Sequence, residues 1–151
     1  MSAQIDVQEL VYKATMQITG ETHFGISMQA AMSGAEPLPP GGVRFDIPVV
    51  GQLDGKIKGK ISGTDYVHMV GPGLSKLHVH LVIETDDGER ISLFADGIAT
   101  MQEGSPKVKL AENVSLHTAA AKYAWVNRVQ IWATGETDLS NGQITLEGYA
   151  A

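Results

Sequence analysis

The chain of 151 residues contains no cysteine. That removes disulfides, thiolate nucleophiles and cysteine-ligated zinc, and leaves the redox compartment unread. Positive charge is scarce as well: 11 Lys and Arg stand against 17 Asp and Glu, a formal net charge of −6. A phosphate-binding surface needs clustered cations, so nucleic acid is not an expected partner. No apolar run reaches the roughly 20 residues of a membrane-spanning helix. The opening "MSAQIDVQEL" has neither the basic nor the apolar part of a secretory signal. The expectation is a soluble cytoplasmic protein with no membrane partner. A Gly-rich phosphate loop, a dinucleotide fingerprint and a nucleophile elbow are also missing, and no cofactor is expected.

What the chain does have is turns. Asp54-Gly55, Asp87-Gly88 and Asn141-Gly142 each separate runs rich in apolar or β-branched residues, as does Gly71-Pro72-Gly73. Such dipeptides supply the positive φ of tight two-residue hairpins. The runs between them alternate: Val43, Phe45, Ile47 and Val49 share one face, and so do Leu77, Val79, Leu81 and Ile83. "LVYKATMQITG" (10–20), "RISLFAD" (90–96), "YAWVNRVQIWATG" (123–135) and "QITLEGY" (143–149) read as further strands. Roughly eight or nine strands at this spacing predict an all-β fold. A closed antiparallel barrel, calycin- or lipocalin-like, removes exposed edges and encloses a central cavity. Residues 1–151 read as one domain. Two stretches interrupt the pattern: 26–42, with room for a short helical turn, and 98–113, a longer connection; both are candidate lids.

From about residue 41 onward the chain resembles an uncharacterised bacterial and fungal family, domain of unknown function 3237. The resemblance rests on "IPVVGQLDGKIKGKISGTDY", then "ETDDGERI" after an apolar strand, then "KYAWVN" and a last strand ending in Tyr149. It implies a closed antiparallel barrel with a central cavity. Asp65 followed by Tyr66 matches the family's Gly-x-Asp-aromatic piece. The chain departs from the family at His80, where members commonly carry arginine. It departs again at Leu116-His117-Thr118, where they carry Phe-Glu-Thr. If those positions line the cavity, an Arg–Glu pair is replaced by two groups that titrate near neutrality.

These residues define the expected chemistry. Asp65, His80 and His117 form a candidate acid–base set. His80 would be the general base or acid, Asp65 its orienting partner, and His117 a second donor or carbonyl polariser. Tyr66, His68, His78, Phe94, Tyr123, Trp125 and Asn127 are candidate ligand contacts, with Trp125 and Asn127 on one strand face. The expected activity is cofactor-independent proton transfer, of isomerase, cyclase or lyase/hydratase type, on a small apolar or aromatic metabolite in the barrel. A non-catalytic carrier barrel is the alternative. A third reading is a cupin-like metal enzyme, since His78, His80 and Glu84 share a strand face; its second motif is absent, and no metal is expected. A homo-oligomer is compatible with the alternate apolar faces of such strands.

Overall fold

Side chains on a strand alternate between its two faces, so a strand of period two makes a wall with one apolar side. In the computed structural model, which describes residues 9–150, that wall closes on itself. The elements are β1 (Glu9–Ile18), β2 (Thr22–His23), α1 (Met28–Ser33), β3 (Val43–Gly55), β4 (Gly59–Gly71), β5 (Leu74–Thr85), β6 (Arg90–Met101) and β7 (Lys107–His117). A 3-10 helix (Ala121–Arg128), β8 (Ile131–Asp138) and β9 (Gln143–Ala150) follow. Each long strand pairs antiparallel with the next, from β3 through β9. β1 then pairs on both edges, Ala14 opposite Leu146 of β9 and opposite Leu53 of β3. The result is a closed eight-stranded barrel, with β2 attached to β3 as a two-residue extension. No helix among the described residues is long and apolar enough to cross a membrane.

Three local expectations are corrected. Residues 98–113 are not a connection or a lid: they hold the end of β6 and most of β7. The stretch "YAWVN" is not a strand but part of the 3-10 helix, in which Tyr123 and Val126, three apart, are the buried pair. Pro72-Gly73 is a two-residue loop between β4 and β5, whereas the Asp87-Gly88 and Asn141-Gly142 turns are looser. Only their glycines take positive φ, and residues 86–89 and 139–142 form longer loops.

The two ends of the barrel differ. At one end the 3-10 helix acts as a plug, its own Val126 fully buried, as are Ile57, Ile83, Ile91, Val114 and Ile131. Tyr123 donates from its hydroxyl to Asp87 Oδ1 at 2.8 Å, and Lys122 pairs with the other oxygen of the same carboxylate. Together with Thr85, these contacts hold the Asp87 carboxyl well below its usual range, the Lys122 bond contributing most. At the other end lies α1. Ser27 caps it, its Oγ accepting from the Ala30 amide, and Gly34 in the left-handed conformation ends it. α1 buries Ala31 fully and lays Met28 and Met32 partly buried across the mouth.

Barrel closure requires strands to approach closely where they coil. At Gly135 on β8 an added Cβ would lie 1.9 Å from the Thr145 carbonyl oxygen of β9, a contact with backbone that cannot yield. We expect Gly135→Ala to destabilise the protein by about 2 kcal/mol or more. Gly41→Ala, in open space, should change stability by less than about 0.5 kcal/mol. Urea unfolding of the two variants checks the contrast.

Candidate functional site

The phase of each strand decides what enters the lumen. On β4 the odd-numbered residues Ile61, Val67 and Met69 are buried, and Asp65 lies in register with them. On β7 the even-numbered residues Val108, Leu110, Val114 and Leu116 are buried, and so is Glu112, between them. On β1 the same rule brings in Tyr12, whose ring occupies the space left by Gly148 of β9. A Cβ there would sit 2.6 Å from the ring. The lumen thus receives two carboxyl groups and a phenol amid aliphatic side chains.

These groups line two adjoining cavities. The inner one, about 40 Å³, is bounded by Tyr12, Asp65 and Glu112 together with Leu81, Leu93 and Leu146. The outer one, about 60 Å³, reaches the mouth and is lined by Met28, Met32 and Leu139, with Ser75 on its wall. Asp65 and Thr137 line both. Asp65 is only partly buried as a residue, yet its Oδ1 is sealed from solvent and has no hydrogen-bond partner. Such an atom is costly to leave unpaired, and its presence needs an explanation.

Burial governs the electrostatics here. Desolvation pushes the Asp65 carboxyl up to about 7, with a hydrogen bond from the His78 backbone opposing. Desolvation also pushes Glu112 up, to about 8, and the nearby charge of Asp65 adds to it. Tyr12 is raised by burial and then by Glu112. No Lys, Arg or His lines either cavity to offset these charges. Near neutrality the pair therefore holds a proton on one member while the other can ionise, the condition under which two carboxyls divide the roles of acid and base.

The sequence-derived site is reassigned accordingly. Asp65 faces the lumen, but His80 and His117 do not: both are exposed on the outer wall, on β5 and β7, with β6 between them. His80 stands edge-on between Tyr66 and Phe94, ring centroids 5.7 and 4.6 Å away, all three on the outside. His78 and Glu84 share that exposed face of β5. Among the described residues no three His, Asp or Glu side chains group as a metal ion would require, so the cupin-like set is not assembled. His68 is also outside the lumen, its Nε2 donating to the Gly41 carbonyl at 2.9 Å and pinning the end of the α1 segment. Tyr123, Trp125 and Asn127 belong to the plug. Asn127 clasps the Thr118 backbone, accepting from its amide at 2.9 Å and donating to its carbonyl at 2.8 Å. Trp125 lies 5.6 Å from the Lys56 ammonium.

Glu112 and Tyr12 are the residues that sequence reasoning missed. A signal was present: each sits in the apolar phase of its strand, where a titratable group is out of place.

The raised carboxyls make stability depend on pH. Unfolded, Asp65 and Glu112 ionise near 3.9 and 4.3; folded, they hold their protons to about 7 and 8. Between those limits the folded state binds more protons, so stability is highest below about pH 4 in this contribution. It falls as pH rises, by up to about 1.4 kcal/mol per pH unit for each group. Urea midpoints at pH 5 and pH 8.5 should show the decline, and Asp65→Asn or Glu112→Gln should flatten it. An equal slope in both variants would contradict the buried pair.

Comparison with known proteins agrees with this architecture. Three solved structures, each 20% identical in sequence, superpose closely. A protein of unknown function from Clostridium acetobutylicum matches with a TM-score of 0.75, covering 94% of this chain and 96% of its own. A conserved protein of unknown function from Rhodopseudomonas palustris matches at 0.74, covering 94% and 95%. A β-barrel-like protein from Acinetobacter baumannii matches at 0.71, covering 99% of both chains. No protein with curated annotation matches. The profile of the family described as "Protein of unknown function (DUF3237)" covers residues 9–150, and the chain belongs to that family.

Proposed function

We propose that the protein is a cofactor-independent enzyme that performs acid–base chemistry, of isomerase, cyclase or lyase/hydratase type, on a small, mainly apolar molecule held in the barrel. Glu112, whose proton is held by burial and by the nearby Asp65 charge, donates it to a carbonyl or hydroxyl oxygen. Asp65 accepts one from carbon or water. The Tyr12 hydroxyl is a further donor at the inner end. The observation that carries this reading is the pair of carboxyls, Asp65 and Glu112, on the wall of one cavity that no Lys, Arg or His lines. The cavities are far smaller than the ~300–1,000 Å³ of drug-sized sites, so the reactant is small or enters with displacement of α1.

The test is exchange of the α-protons of butan-2-one in D₂O, followed by NMR. The native protein should accelerate exchange by about 10²-fold or more over buffer. Asp65→Asn and Glu112→Gln should abolish most of that gain, whereas His80→Ala and His117→Ala should stay within about twofold, consistent with their outward placement. Binding of the ketone without exchange would favour the carrier reading, and loss of exchange on removing either histidine would return the chemistry to the outer wall.

A further inference from the structure

We propose that the lumen selects a cation: a small primary ammonium on a short apolar body, with Asp65 and Glu112 as its two charge partners. This rests on the luminal acid–base reading above and narrows its substrate class, the proton source for such a substrate being its own ammonium rather than Glu112.

The wall is one-sided in charge. Of the side chains lining the two cavities, the titratable ones are Tyr12, Asp65 and Glu112, and none is a base. The remaining polar groups are the hydroxyls of Ser75 and Thr137, and everything else is aliphatic, thioether or alanine. A carboxylate or phosphate entering this space would meet two acidic groups and no cation, at the low dielectric where repulsion is strongest. A neutral alcohol has one proton to give. An ammonium has three, enough for the Asp65 carboxyl and for Glu112, with one left for a hydroxyl. Its charge also offsets the desolvation that keeps the carboxyls protonated, since an opposite charge within a few ångströms favours the ionised form. Binding near neutrality should therefore expel a proton from the pair. The apolar body has a place too, among Leu81, Leu93 and Leu146 at one end and Met28 and Met32 at the other. The net charge of −6 adds a long-range preference for cations.

Three near-isosteric probes separate the possibilities: n-butylammonium, butan-1-ol and butyrate. They are titrated into the protein at pH 7.5 by calorimetry, with the methyl NMR resonances of Leu81, Leu93 and Ile144 as reporters of the lumen. Butylammonium should bind about tenfold or more tightly than butan-1-ol, and butyrate should not saturate. Heats in buffers of different ionisation enthalpy should reveal proton release with butylammonium alone. Asp65→Asn and Glu112→Gln each remove a buried charge and should fold. Either should reduce butylammonium to the affinity of butan-1-ol while leaving the alcohol within about threefold. Butan-1-ol binding as well as butylammonium while shifting the luminal methyls would overturn the charge selection and leave the acid–base reading standing. Butylammonium binding that neither substitution weakens would place it elsewhere and overturn the proposal. If no probe shifts the luminal methyls, both readings fall.

Discussion

β1 is hydrogen-bonded along both edges, to β9 on one side and to β3 on the other, and this double pairing turns a sheet into a vessel. Closure has a local requirement, met where Gly135 lets β8 and β9 approach within a distance no Cβ allows. It also has a chemical result. An inward residue on an open sheet can reach water around an edge; in a closed barrel it can do so only through the ends. Asp65 and Glu112 come from different strands, and closure leaves both lining one lumen with no Lys, Arg or His beside them. Their raised proton affinities are a property of the architecture as much as of the residues.

The overall architecture could be read from the sequence because alternation in β3, β5 and β9 is nearly uninterrupted, and the glycine-bearing turns fall between them. β7 was hidden by the residue that matters most. Val108, Leu110, Val114 and Leu116 keep strict phase, but Glu112 occupies the middle inward position and breaks the apolar run. A strand with a charge on its buried face looks like a loop to any reading based on periodicity. The same break singles Glu112 out as a candidate, because a carboxyl in that phase runs against the local pattern. The plug was misread for a different reason: Tyr123 and Val126 are three apart, a spacing that alternation does not describe.

The histidines show the limit of arguing from face-sharing. That His78, His80 and Glu84 lie on one side of β5 was correct, but period two does not say which side is inside. The answer lay in the neighbours: Leu77, Val79, Leu81 and Ile83 form the longer apolar set, and they took the lumen. His80 is thereby consigned to an outer aromatic row with Tyr66 and Phe94. The departures from the family pattern at His80 and His117 consequently alter the outer surface, while Asp65, which matches the pattern, is inside.

The unequal ends of the barrel bear on how quickly the interior can exchange its contents. One end is locked by an aromatic plug, an ion pair and a set of isoleucines and valines without exposed surface. The other is covered by a six-residue helix with a single fully buried side chain. Displacing that helix uncovers Met28, Ala31 and Met32 but leaves every rung of the β-ladder intact, so access to the interior should follow the opening of one small unit. A vessel built this way can be durable as a fold and still be fast at its door.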